Sequence, residues 1–256
     1  MPILTDILSA FANISLTQLA VVTGVTLFAS VIGGVAGYGT GALMPLVLVP
    51  MVGAEPVVPI IAISALFTNT GRVAAFFRHI DGRRSAIVIA AAAFTCVLGA
   101  YAYTRLSGAG AALVIGSMLI LSVPLRRLAH RRAVKLHDGG LVIGAAGYGL
   151  VVGGTTGSGA ILLSLLMAAG LEGAAVIATD AAVTIAIGIV KVAVFGVTGA
   201  VTAQVIVFGL LIGAVAFPGG FIAKALLERL PIRVHTAMLD AVIILGGVVM
   251  IIAALR

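Results

Sequence analysis

Charged residues are scarce in this sequence. Only 9% of its 256 residues are Asp, Glu, Lys or Arg, whereas a soluble domain carries about 25%. Because 62% of the residues are hydrophobic, the chain cannot cover a folded surface with polar groups, which excludes a soluble globular domain. Several apolar runs reach the roughly 20 residues that span a bilayer as a helix. The composition therefore predicts a polytopic helical membrane protein.

Other features are missing as well. The single cysteine, Cys96, excludes a disulfide within the chain and a CxxC site. A P-loop is absent, so the chain by itself is not expected to be an ATP-driven pump. Residues 1–16 lack a basic start and a cleavable apolar run, and no signal peptide is expected there. The four histidines fall in or beside loops at spacings that indicate no metal site.

Ten apolar segments follow one another along the chain, and most approach spanning length. They are 17–36, 41–53, 56–77, 85–104, 109–125, 139–156, 159–170, 173–195, 201–223 and 234–254. At 1.5 Å per residue, the short segments 41–53 and 159–170 cover only about 20 Å of a hydrocarbon core about 30 Å thick. Two interpretations stay open for this pair, namely full crossing and re-entry from one side.

Basic residues concentrate in three short loops. The loops near 78–84, 126–137 and 224–233 hold 11 of the 15 Lys and Arg residues, whereas 105–108 holds one and 196–200 none. By the positive-inside rule, the three basic loops face the cytoplasm and the other two face outward. Membrane topology therefore explains the net charge of +7 better than nucleic-acid binding does.

The second half of the chain repeats the first at a nearly constant offset. Residues 39–42 match 157–160 at an offset of 118, and 62–65 match 178–181 at 116. Equivalent loops carry opposite charge patterns, which is typical of inverted repeats with an odd number of spans. We predict an all-α integral membrane fold of two inverted five-segment repeats. Its parts are an N-terminal segment 1–16, a first membrane repeat 17–125, a basic cytoplasmic linker 126–138 and a second membrane repeat 139–256.

Glycine clusters interrupt the two halves at equivalent places, 33–41 and 153–159. Glycine is costly inside a helix, so both stretches are predicted to be unwound just before a short helix, at the interface of the repeats. The N-terminus of such a helix offers free N–H groups and a positive dipole end to an anion. The predicted substrate-binding residues here are Gly39, Thr40, Gly41, Thr155, Thr156, Gly157, Ser158 and Gly159. Alternatively, the glycines only permit close helix packing.

Charged residues inside the spans are candidate functional groups. Asp180 and Lys191 lie 11 residues apart on nearly one helix face, about 16 Å along the axis, too far for a direct pair. Asp180 is a candidate coupling residue, or a structural hydrogen-bonding group. Lys191, with Asn69 and Arg72 of the matching helix, is a candidate anion contact. Alternatively, the two cations snorkel to the membrane interface. Asp240 is predicted to be interfacial.

The same residues resemble a known family of membrane permeases. The Gly-rich openings at 37–41 and 156–159, the short apolar helices after them, and the pair 62–64 and 178–180 are similar to the TauE/SafE, or sulfite exporter, family. The resemblance extends over roughly residues 24–254. It implies secondary, ion-coupled export of sulfite, sulfoacetate or another organosulfonate across the bacterial inner membrane. Asp180 stands where the family has a Ser-like residue.

Taken together, these observations predict a secondary transporter of a small sulfur-containing anion, and not an enzyme. The predicted partners are the anion, the lipid bilayer and a coupling proton or other ion, while no nucleic acid, cofactor or metal is expected. An intramembrane enzyme would need convergent nucleophile, base or metal ligands, and the spans offer only Asp180, Lys191 and scattered hydroxyls. Two alternatives stay open, an anion channel and a non-transporting membrane scaffold or assembly subunit.

Overall fold

Every regular element in the described part of the chain is helical. The computed structural model describes residues 14–36, 39–131, 136–218 and 233–255, and the isolated positions 5, 9, 11, 12, 221 and 222. Ten α-helices have defined bounds there: α1 Leu16–Ala36, α2 Gly39–Val52, α3 Val57–Phe76, α4 Gly82–Tyr103, α5 Gly108–Arg131, α6 Asp138–Gly154, α7 Gly159–Ala168, α8 Ala174–Val197, α9 Ala203–Ala216 and α10 Arg233–Ala254. A 3-10 turn, Phe77–His79, follows α3.

Four stretches are long and apolar enough to cross a membrane. They are Val57–His79, Gly82–Tyr103, Gly108–Leu125 and Ala174–Val197. Together with the all-helical architecture, they confirm the prediction of an all-α integral membrane protein. The predicted segment 201–223 is shorter than expected, since α9 ends at Ala216 and most of the chain beyond 218 in this segment lies outside the described residues.

The two short helices are present as predicted. α2 has 14 residues and α7 has 10. At 1.5 Å per residue these correspond to about 21 and 15 Å, so neither alone crosses a core of about 30 Å. Thr40 and Gly41 at the start of α2 and Gly159 at the start of α7 line a single cavity.

The first glycine-rich stretch is more helical than we predicted. α1 continues through Gly33 and Gly34 to Ala36, and α2 starts at Gly39. Helix propensity is a weak preference that tertiary packing overrides, which explains why two glycines do not end the 21-residue helix α1. The predicted unwinding at residues 37 and 38 lies outside the described residues.

Equivalent helices in the two halves have equivalent neighbours. α4 packs on α6 and α8, and its counterpart α9 packs on α1 and α3. α3 contacts its own counterpart α8, and α5 contacts α10. This pattern is expected for an internal duplication. It also means that α3 and α8 join the halves, so the polar residues of these two helices face each other.

Glycine permits the closest crossing, between α4 and α6. A Cβ on Gly149 would overlap the carbonyl oxygen of Ala92, and one on Gly153 would overlap that of Cys96. Small residues at such crossings allow backbones to approach in lipid, where no hydrophobic effect drives helices together. The crossing fixes α6, and with it the linker to α7, against the α4–α8 pair.

Asp240, predicted to be interfacial, is buried against other helices, and its depth in the membrane stays a prediction. This residue of α10 is only 3% exposed. α10 packs on α5 and also contacts α2.

Candidate functional site

The break between α6 and α7 is a short extended linker. α6 ends at Gly154, and Thr155 follows with φ −138° and ψ −179°. Gly157 has a φ of +79°, in the left-handed region that favours glycine. Ser158 precedes α7 and makes no capping hydrogen bond through its side chain. The N–H of Ile161 donates to the Ser158 carbonyl at 3.0 Å, whereas the described structure shows no hydrogen bond from the N–H groups of Gly159 and Ala160. These two N–H groups remain available to a ligand.

The N-terminal ends of α2 and α7 meet inside the protein. The Thr156 hydroxyl donates a hydrogen bond of 2.6 Å to the carbonyl of Gly41. In an α-helix this carbonyl would accept from the N–H four residues later, but that residue is Pro45, which has none. Thr156 therefore supplies the donor that Pro45 lacks. A Cβ on Gly41 would lie 3.2 Å from the backbone nitrogen of Gly157, so the two backbones nearly touch.

A buried ion pair joins α3 to α8. Arg72 Nη1 donates to Asp180 Oδ2 at 3.0 Å and to Asn69 Oδ1 at 3.0 Å. The side chains of Arg72 and Asp180 are 8% and 2% exposed, so Arg72 points into the protein and does not snorkel. Arg72 Nε and Nη2 and Asp180 Oδ1 have no hydrogen-bond partner among the described residues. A guanidinium carries five N–H donors, and the three on Nε and Nη2 therefore remain for a ligand.

Lys191 is a second buried cation. It is 6% exposed, and its Nζ donates to the carbonyl of Thr155 at 3.0 Å. Thr155 directly follows α6, so the ammonium group lies at the negative end of that helix dipole. The Lys191 side chain therefore does not snorkel to the membrane interface. An ammonium has three N–H donors, and one hydrogen bond is found in the described structure, which leaves two.

One cavity of about 120 Å³ brings these groups together. By the same measure a single water needs about 10–15 Å³, so the space suits a small polyatomic ion. Eleven of the twelve predicted site residues line it: Thr40, Gly41, Asn69, Arg72, Thr155, Thr156, Gly157, Ser158, Gly159, Asp180 and Lys191. Gly39, the first residue of α2, is not part of the lining. The substrate-binding roles of these residues stay predictions.

Several lining residues were not predicted. Ser30, Thr68 and Thr184 add hydroxyl groups, and Tyr148 adds a phenol that is 2% exposed. The sequence did contain an indication for Tyr148, because it lies in the middle of an apolar span and tyrosine usually lies at the membrane interfaces. The hydroxyl residues gave no signal, because Ser and Thr are common in packed membrane helices.

The lining carries an excess of positive charge. With Arg72, Lys191 and Asp180 all ionised, the cavity holds one net positive charge. This positive charge attracts an anion to the cavity. Within the described ranges, no group of three or more His, Cys, Asp or Glu could hold a metal ion.

The connection between α3 and α4 touches α8 beside the ion pair. The backbone N–H of Asp81 donates to the hydroxyl of Thr179, at 3.0 Å. The Asp81 carboxylate accepts from the backbone N–H of Arg84 at 2.9 Å and from its guanidinium at 2.6 Å. These bonds, the backbone one foremost, hold the pKa of the Asp81 carboxyl below its usual value. This loop is thus anchored next to Asp180.

Comparison with known proteins gives a match over nearly the whole chain. A family model described as "Sulfite exporter TauE/SafE" matches residues 22–250, a range that includes every residue of the cavity lining. Neither the curated proteins nor the solved structures give a match. The family match agrees with the resemblance of the two Gly-rich openings.

Proposed function

We propose that this chain, which belongs to the sulfite exporter TauE/SafE family, is a secondary transporter that exports a small sulfur-containing anion through the cavity between its halves. Membership makes it a multi-pass membrane transporter of a small anion. The finer assignment is our proposal: the anion is sulfite, sulfoacetate or another organosulfonate, the membrane is the bacterial inner membrane, and export is coupled to an ion gradient.

The observation that carries this proposal is the set of buried N–H groups without partners in the cavity. Arg72 has three such groups and Lys191 has two. Sulfite and sulfonates present three oxygens around one sulfur, and each oxygen accepts hydrogen bonds. Charge-assisted hydrogen bonds to such oxygens are about twice as strong as neutral ones. The N-termini of α2 and α7 add further N–H groups to the cavity lining.

The proposed movement is a rocking of one half against the other. The halves are the predicted repeats 17–125 and 139–256, which meet where α3 contacts α8 and where Thr156 contacts Gly41. In transporters built from inverted repeats, the substrate site lies at this junction near the midplane. Rocking about these contacts would open the cavity alternately to each side.

Flux measurements on the full chain in liposomes test the proposal. We expect saturable transport of a labelled sulfonate and faster entry when unlabelled sulfonate is present inside, which a channel would not show. Lys191→Gln removes a hydrogen bond to a charged group, worth about 1.5–3 kcal/mol, so affinity should fall about 10- to 100-fold. The control Arg105→Gln removes an exposed cation next to Tyr101 and should leave affinity unchanged. Absence of saturable flux and binding would overturn the proposal.

A further inference from the structure

We propose that Asp180 takes up a proton when the transported anion binds Arg72, so that one proton and one anion cross the membrane together. The proposal rests on the proposed transport function and names its coupling ion. It starts from one feature of the cavity: a single guanidinium faces both a carboxylate and the space for the anion.

Arg72 is the shared group. It holds Asp180 through Nη1 alone, while Nε and Nη2 are buried without partners. An anion that accepts from these two nitrogens brings a second negative charge to the guanidinium. The Asp180 carboxylate is 2% exposed, and its Oδ1 has no partner among the described residues. Because a buried ionised carboxylate is costly without full pairing, uptake of a proton on this carboxylate relieves the repulsion between the two anions.

No other carboxylate of the described structure lines the cavity. Several titratable or charged side chains lie on α8 and on the elements around Asp180. They are Arg72 of α3, Arg78 and His79 of the 3-10 turn, Asp81 of the connection that follows, Arg83, Arg84, Cys96, Tyr101 and Tyr103 of α4, Asp138 and Tyr148 of α6, and Lys191 of α8. α7 carries none. Asp81 is engaged by Arg84, and Arg78 and His79 are exposed. Lys191 lies about 16 Å further along α8 and cannot replace Arg72 as the partner.

The charge balance makes this transport electroneutral for a monovalent anion. The empty cavity, with Arg72, Lys191 and Asp180 ionised, has one net positive charge. Addition of an anion and a proton leaves that charge unchanged. The membrane potential therefore acts equally on the empty and loaded forms. Export is therefore driven by the outward gradient of the anion and carries protons out with it, and an inward proton gradient opposes export.

The experiment uses the full chain in liposomes with a trapped pH-sensitive dye and methanesulfonate as the probe. Methanesulfonate stays ionised at all pH values tested, so any pH effect reports on the protein. We expect efflux of methanesulfonate to make the lumen more alkaline, at a rate that an imposed membrane potential does not change. An inward proton gradient should concentrate methanesulfonate inside the liposomes, by up to about tenfold for each unit of pH difference across the membrane.

Two variants separate coupling from transport. Asp180→Asn keeps the shape but cannot take up a proton, so exchange of labelled for unlabelled methanesulfonate should continue while accumulation by the proton gradient is lost. Asp138→Asn removes an exposed carboxylate, 58% accessible and paired with Arg83, and should keep full coupling.

Each outcome decides a different claim. Saturable methanesulfonate flux without proton movement in the wild type, or flux that follows the membrane potential, would overturn proton coupling and leave the transport function standing. Absence of any saturable flux would overturn the proposed function itself. The dye measurement on the wild type decides the matter even where Asp180→Asn does not fold.

Discussion

Thr156→Val tests how the two short helices are held together. The hydroxyl of Thr156 is the donor to the Gly41 carbonyl, which has no helical donor because Pro45 follows four residues later. Valine keeps the shape of threonine and removes only the hydroxyl. Thr156 is 3% exposed, so water does not readily replace the lost donor.

The expected loss follows from this geometry. A buried carbonyl left without a donor costs about 1–3 kcal/mol. We expect Thr156→Val to lower the free energy of unfolding by this amount. The loss should shrink in the background Pro45→Ala, because alanine restores the N–H that bonds Gly41 within α2. The difference between the two losses is the coupling energy of a double-mutant cycle.

The assay is unfolding in mixed detergent micelles, measured for the wild type, both single variants and the double variant. Thr198→Val serves as the control, because its exposed hydroxyl bonds only carbonyls of its own helix and its loss should stay within about 0.5 kcal/mol. Equal losses from Thr156→Val with and without Pro45 would refute the reasoning, since the proline would then have no part in the bond.

Two more predictions concern stability away from the cavity. Gly153→Ala places a methyl group against the Cys96 carbonyl and should lower the unfolding free energy by about 1–3 kcal/mol, whereas Gly147→Ala on the open side of α6 should raise it by up to about 1 kcal/mol in the same assay. Asp81→Asn keeps an N-cap but removes the charge that Arg84 contacts. Because the pKa of Asp81 is lowered in the fold, the deficit of about 0.5–1 kcal/mol should be present above about pH 4 and vanish as pH falls through the lowered pKa. A deficit that is independent of pH would contradict this assignment.

Short sequence patterns were enough to predict much of the helical architecture. The glycine cluster before 159 and the brevity of the apolar run after it both lie within a few residues, so the break at Thr155 and the helix Gly159–Ala168 could be predicted. The continuation of α1 through Gly33 could not be predicted, because helix packing and not helix propensity determines whether the helix continues there.

The pairings in the cavity depend on contacts that are distant in sequence. Arg72 and Asp180 are 108 residues apart, and no local pattern indicates that they meet. The repeat placed Arg72 two residues away from the equivalent of Lys191 and favoured similar roles for the two cations. The structure gives them different partners, a carboxylate and a carbonyl. The bond from Thr156 did have a local signal, since Pro45 inside a helix always leaves the carbonyl four residues earlier without its usual donor.

The two halves of the chain do not contribute the same charged residues to the cavity, and this difference has a physical consequence. Asp180 occupies the position that Ser64 has in the first half, and the Ser64 hydroxyl bonds only Ile61 of its own helix. Aspartate in both positions would balance Arg72 and Lys191 and leave no net charge for an anion. Serine in both would bury two cations without a counter-charge, at a cost of several kcal/mol per ion. One carboxylate compensates Arg72 in the empty protein and leaves one net positive charge that attracts the anion. Because Asp180 is the one carboxylate of the lining among the described residues, we expect one coupled proton per transported anion and not two.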